Sequence, residues 1–132
     1  MATPKLPRAG HRDGKRILVV DDEPRMINFI RMNLELEGHQ VIEAHTGLEA
    51  LEAIRTKLPD IVLLDVMMPD LDGFEVLETI REVSNVPVIM LTAKGREVER
   101  EKGLALGADD YVIKPFSTQE VVEKVQELLG LS

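Results

Sequence analysis

Four short apolar runs in this sequence each end on residues able to do polar chemistry. Ile17 to Val20 runs into Asp21-Asp22-Glu23, Ile61 to Leu64 into Asp65, Val88 to Leu91 into Thr92, and Tyr111 to Ile113 into Lys114-Pro115. Carboxylates gathered at one place repel one another and raise at least one pKa unless a cation neutralises them. Oxygen donors with no Cys or His beside them suit a hard ion, and Mg²⁺ binds through one or two carboxylates while keeping water and phosphate in its shell. Such an ion, together with an ammonium and a hydroxyl, forms an electrophilic clamp around a phosphoryl group in transfer, with an aspartate as covalent acceptor. Asp65, on what reads as the central strand with clamps from both sides, is the best placed acceptor.

That chemistry requires residues more than ninety positions apart to meet. Runs this short and rich in Val and Ile, with Val41-Ile42 as a further one, suit strands covered on both faces. Helix-like segments fall after them, at about 24–37, 47–57, 73–83, 95–106 and 117–129. Thr46 with Glu49 and Ser117 with Glu120 fit capping boxes, Pro24 suits a first helical turn, and Gly38 and Gly107 suit left-handed C-terminal caps. Five strand-then-helix units with right-handed crossovers predict an α/β fold, a doubly wound five-stranded parallel sheet with five helices on its two faces. Ligands in such sheets bind outside the carboxyl ends of the strands, which is where Asp21, Asp22, Asp65, Thr92 and Lys114 fall.

The chain has 132 residues, enough for one domain with one core. No apolar run approaches the roughly 20 residues of a spanning helix, so a membrane protein is excluded at this level. Zero Cys removes disulfides and thiolate chemistry and agrees with a reducing, cytoplasmic compartment. Five bases against one acid leave the first sixteen residues at +4, while eleven bases and twenty-three acids leave the remainder at −12. An acidic body with 3% aromatic residues neither attracts nucleic acid nor offers base-stacking platforms, so no direct nucleic-acid binding is expected. Residues 1–15, basic and without apolar periodicity, read as a flexible leader to which no function is assigned, and residues 16–132 as the domain.

Taken together, Val19-Val20-Asp21-Asp22-Glu23, Leu64-Asp65-Val66-Met67-Met68-Pro69-Asp70-Leu71-Asp72-Gly73, Leu91-Thr92-Ala93 and Lys114-Pro115-Phe116 closely resemble the receiver domain of two-component response regulators. The resemblance covers about Arg16 to Leu129, with every signature motif in order. It implies the flavodoxin-like strand order 2-1-3-4-5, an order the handedness rules alone do not select. It implies that Asp65 takes a phosphoryl group from a phosphohistidine on a sensor histidine kinase or phosphotransfer protein. Asp21 and Asp22 resemble the acidic pair that holds Mg²⁺ together with Asp65 and the backbone carbonyl of Met67. Lys114 is similar to the lysine that pairs with phosphoryl oxygens, Thr92 to the hydroxyl that turns toward them, and Tyr111 to the switch aromatic. A cis Lys114-Pro115 bond is implied as well. The expected output is a reshaped surface of the fourth helix, fifth strand and fifth helix, which in this family also pairs two copies into a homodimer. Lys102 or Arg100 with Glu120, and Asp109 or Asp110 with Lys124, are the candidate pairs across such a dimer.

Chemistry of this kind makes the domain a switch that catalyses its own phosphorylation, not a turnover enzyme. Two positions that vary among receivers, Met67 and Lys94, should border the water that hydrolyses the acyl phosphate. Met67 cannot orient that water, and slow self-dephosphorylation is expected. Similar residues elsewhere carry plainer readings. Asp70 and Asp72 turn the chain and cap the third helix, Glu23 either supports the ion through water or only starts the first helix, and His11, His39 and His45 lie away from the rim and are not expected to bind metal. The rival reading is an aspartyl-phosphate phosphohydrolase of the haloacid-dehalogenase type, whose nucleophile would sit in an Asp-x-Asp motif at the first strand, where this chain has Asp21-Asp22-Glu23-Pro24. A flavin carrier lacks its hydroxyl-rich phosphate loop here, and a pseudo-receiver would not need the intact acids and lysine.

Overall fold

Strand β1 (Arg16–Val20) is buried from Ile17 to Val20, and β3 (Ile61–Asp65) along its whole length. Such strands cannot alternate apolar with polar residues, because helices cover both of their faces. The structure is a computed structural model that describes residues 14–93 and 97–131. The expected leader lies outside these residues as far as Asp13, and so does Lys94. With β2 (Gln40–Ala44), β4 (Val88–Ala93) and β5 (Asp110–Lys114), the strands form one parallel sheet in the order β2-β1-β3-β4-β5.

Alternation along the strands divides the core in two. Leu18, Val20, Leu64 and Met90 face one side, where α2 (Gly47–Lys57), α3 (Gly73–Val83) and α4 (Glu97–Ala105) pack. Ile17, Val19, Leu63 and Val112 face the other, against α1 (Pro24–Leu36) and α5 (Thr118–Leu128). Each fully buried Ile or Leu contributes about 1.5–3 kcal/mol over its exposed state.

The helix ends follow from side chains at their first turns. Pro24 opens α1; the Thr46 hydroxyl accepts the Glu49 N–H at 3.1 Å, and Ser117 the Glu120 N–H at 3.1 Å. The reciprocal capping box forms at Asp72 and Glu75, where both bonds are present. Asp70 departs from expectation. Its carboxylate accepts the N–H groups of Gly47 (2.9 Å) and Leu48 (3.1 Å), so it caps α2 and not α3. The loop after β3 folds across the start of α2, whose free donors are the nearest partners for that acid. These bonds, led by the Gly47 N–H, hold the Asp70 carboxyl below its ordinary range. Helix α4 is described from Glu97, two residues inside the expected start, and among its described residues Gly103 alone is buried.

Candidate functional site

The two-residue alternation that places Ile17, Val19, Leu63 and Val112 on the α1–α5 side carries Asp21, Asp65 and Lys114 to that same side of the carboxyl rim. There they meet. Lys114 Nζ lies 3.2 Å from Asp65 Oδ2 and 3.6 Å from Asp21 Oδ2. One oxygen from each of Asp21, Asp22 and Asp65 falls within 4.8 Å of the others. Asp21 is 1% exposed and Asp65 4%, while Asp22 faces solvent. The Lys114-Pro115 bond is cis.

Local backbone donors orient two of the acids. The Met67 N–H donates to Asp65 Oδ1 at 3.2 Å, and the Glu23 N–H to Asp21 Oδ1 at 3.0 Å. Glu23 itself sits at the N-cap of α1 without a side-chain capping bond. Glycine at position 73 presses the following loop onto the strand end: a Cβ there would stand 2.4 Å from the Asp65 carbonyl oxygen and 2.8 Å from Val66 Cα. Only a residue without a side chain permits that approach.

Three carboxylates share one ammonium, and the imbalance shows at Asp65 and Lys114. Burial, then the charge of Asp21, push Asp65 up to about 6, against the opposing pull of Lys114 and the Met67 N–H. Burial disfavours the Lys114 charge, but Asp65 and Asp21 outweigh it, so that its pKa is raised. Asp21 Oδ2 is buried without a hydrogen bond, facing only the Lys114 ammonium at 3.6 Å. A buried carboxylate oxygen left without a donor is costly. A hard cation among these three acids would satisfy it, and the all-oxygen donor set fits such an ion.

The remaining expected residues are close but differently engaged. Thr92, 2% exposed, lies one position beyond Leu91, the partner of Asp65 across β3 and β4. Asp65 bonds to the Met67 N–H and Lys114, not to Thr92. Thr92 projects on the same face as Met90, which pairs with Tyr111 across β4 and β5, so Thr92 and Tyr111 share the α4 side of the sheet. The Met67 side chain is 59% exposed at the mouth of the site. A cleft of about 600 Å³ between α2 and α3, lined by Leu51, Ile54, Ile80 and Val83 among others, contains none of the site residues.

Several residues of this surround carry contacts that spacing does not announce. Arg100 Nη1 donates to the Tyr111 hydroxyl at 3.0 Å, with its guanidinium carbon 5.1 Å from the ring centroid. Arg81 donates to the carbonyls of Gly107 (2.9 Å) and Val86 (2.7 Å) and to Asp109 Oδ2 (3.0 Å), tying α3 to the entry of β5. Lys124 Nζ holds Asp110 Oδ2 at 3.1 Å within the chain, so candidate cross-dimer partners are already paired internally. Of the histidines, His39 is buried: its Nδ1 accepts the Lys15 N–H at 3.0 Å and its Nε2 lies 3.0 Å from Gln126 Oε1, which places its proton on Nε2 and makes it a structural tie.

The family model of the response regulator receiver domain matches residues 17–126. The alkaline phosphatase synthesis transcriptional regulatory protein PhoP of Bacillus subtilis (strain 168) is 48% identical over 119 residues, covering 89% of this chain and 50% of PhoP. The chain thus spans about half the length of that curated relative. Among solved structures, the receiver domain of the Francisella response regulator 1452 is 37% identical with a TM-score of 0.84, over 89% of this chain and 98% of that one. A CheY-like receiver domain protein from Methanospirillum hungatei JF-1 is 33% identical with a TM-score of 0.83, over 89% of this chain and 94% of that one.

Proposed function

This chain belongs to the response regulator receiver domain family, and from that premise we propose that it is a signalling switch phosphorylated on Asp65 by the phosphohistidine of a sensor histidine kinase or phosphotransfer protein. The observation that carries the reading is the meeting of Asp65, Asp21 and Lys114 at one buried rim, with Lys114 Nζ 3.2 Å from the acceptor carboxylate. Phosphoryl transfer asks little covalent work of a protein and depends on positioning and charge neutralisation. Asp65 is held by the Met67 N–H so that one oxygen remains to attack phosphorus, forming an acyl phosphate as the phosphohistidine bond breaks. Lys114 neutralises the incoming oxygens, and Thr92 donates to them once its hydroxyl turns toward the rim. Asp21, Asp22, Asp65 and the Met67 carbonyl would hold Mg²⁺, which when bound supplies Lewis-acid neutralisation of the transferring group.

The added phosphoryl brings close to two negative charges and strong acceptor oxygens. It favours whichever conformation lets Thr92 and Lys114 contact it best, and that conformation repositions Tyr111 and the surface of α4, β5 and α5. The reading therefore describes a self-modifying switch within residues 16–132, not a turnover enzyme, with residues 1–15 as a leader. No helix of the described residues is long and apolar enough to cross a membrane; we infer cytoplasmic action from the likeness to a transcriptional regulatory protein. The acidic body argues for output through other protein segments and not through its own contact with DNA. In a homodimer through α4, β5 and α5, an Asp110–Lys124 contact across the interface would compete with the internal Lys124–Asp110 pair.

Intact mass after incubation with acetyl phosphate and Mg²⁺ tests the proposal. Wild type should gain one phosphoryl group and Asp65→Asn none. Equal labelling of both, or turnover of a small phosphate ester without labelling, would overturn it.

A further inference from the structure

Helix α4 is the least anchored element on its face of the sheet. It buries Gly103 alone, and its apolar Val98 and Leu104 are 77% and 43% exposed. Elements with so few buried apolar contacts open and shift most readily. Two cationic contacts supplement the packing: Lys102 Nζ sits 4.6 Å over the Phe74 ring, and Arg100 engages Tyr111 both by stacking and by a hydrogen bond. The second contact is the unusual one, because Arg100 Nε is buried with no hydrogen-bond partner. A guanidinium with an unsatisfied buried N–H gains by swinging to water, so its place depends on the phenol that accepts from Nη1.

We propose that Arg100 is a positioning residue that latches Tyr111 in its resting arrangement and ties α4 to β5, and that phosphorylation acts on the output surface by breaking this pair. The inference rests on Asp65 being the phosphoacceptor. Thr92 and Tyr111 project from the same face on adjacent strands, offset by two register positions. Movement of Thr92 toward the rim frees space on that face, and a Tyr111 ring that turns into it withdraws its hydroxyl from α4. Arg100 then loses its acceptor and enters solvent as a new cation on the surface of α4. The state of a buried carboxylate is thereby converted into a charge on the surface. Because both arrangements exist before any ligand binds, weakening the latch must also favour everything that binds only the released form.

Tyr111 is the single tyrosine, so 3-fluorotyrosine labelling gives one ¹⁹F resonance that reports its arrangement. In wild type, beryllofluoride with Mg²⁺, a phosphoryl mimic, should shift that resonance. In unliganded Arg100→Met the resonance should already lie part of the way toward the saturated position, and the apparent beryllofluoride affinity should rise by about threefold to tenfold, the range of one partly exposed cation–π contact or ordinary hydrogen bond. Arg100→Lys, which can donate to the phenol without the planar stack, should fall between the two. If both variants keep the unliganded wild-type resonance and affinity, Arg100 is no latch. If wild type itself gives no beryllofluoride response, or Asp65→Asn gives the same one, the phosphoacceptor reading fails and the latch with it.

Discussion

Removing the Asp65 charge should stabilise the metal-free protein, although it removes the proposed acceptor. The folded carboxyl has a pKa of about 6 against 3.8 for the free group, a rise of about two units that corresponds to about 3 kcal/mol. The attraction of Lys114 is already contained in that value, and at 4% exposure the group is little screened by solvent. Below about pH 4 both folded and unfolded chains carry the protonated acid, and this residue favours neither. As pH rises from about 4 to 6, the unfolded chain releases its proton first, so stability falls through that window. Above about pH 6 the deficit of about 3 kcal/mol is complete. Asn has the shape of the protonated acid and no charge. In chelator at pH 7.5, Asp65→Asn should therefore exceed wild type by about 3 kcal/mol in urea unfolding, or about 10 °C in melting temperature, and the gap should close by pH 4. Added Mg²⁺ should raise wild type far more than the variant, since only wild type keeps all three carboxylates. A variant no more stable than wild type at pH 7.5, or a gap unchanged between pH 7.5 and 4.5, would refute the account of an electrostatically strained site.

Gly73→Ala should cost about 1–3 kcal/mol and slow acetyl-phosphate labelling, because its Cβ meets the Asp65 carbonyl at 2.4 Å; unaltered labelling would show that the loop can yield. Met67→Asn should speed loss of the phosphoryl group on the order of tenfold, since an amide can orient water where a thioether cannot, and a time course on Phos-tag gels reads it; an unchanged half-life would remove Met67 as the screen. Arg81→Met should destabilise by about 2–3 kcal/mol in urea, leaving the Gly107 and Val86 carbonyls without their donor, and a loss below 0.5 kcal/mol would mean that water replaces it without penalty.

What could be read in the sequence was governed by how local the physics is. Strands buried on both faces must be apolar throughout, so β1, β3 and β4 were visible as runs, and the residues that end them marked the rim. Which side of the sheet each end residue takes was not legible: strands apolar on both faces hide their parity, and only the paired sheet puts Asp21, Asp65 and Lys114 on the side of Val19, Leu63 and Val112. Helix α4 was expected over about 95–106 and is described over Glu97–Ala105, its expected start lying outside the described residues. The function of Asp70 was misplaced by one helix, because a loop carboxylate bonds to whichever free N–H groups the folded chain brings near. Arg81, Arg100 and His39 were not legible as ties at all. The resemblance offered Arg100 only as a partner for Glu120 across a dimer, and it is the packing of α4 on β5 that turns its guanidinium onto Tyr111.

These two kinds of residue also divide the work of a switch. In the proposed switch the acceptor must not move as its charge changes, and Asp65 is fixed by wholly buried β3, by the Met67 N–H and by the close approach at Gly73. The free energy released when its strained charge is neutralised or clamped has to appear where resistance is least. Helix α2 is held by the Thr46 hydroxyl and the Asp70 carboxylate, and α3 by its capping box and the Arg81 network. Helix α4 has one buried glycine and two cation contacts with aromatic rings. One of those rings belongs to Tyr111, on the same face as Thr92 and one strand away. On the proposed reading a perturbation at the rim would reach α4 before it could dislodge α2 or α3, and the helix with the least buried apolar surface is the one best suited to respond.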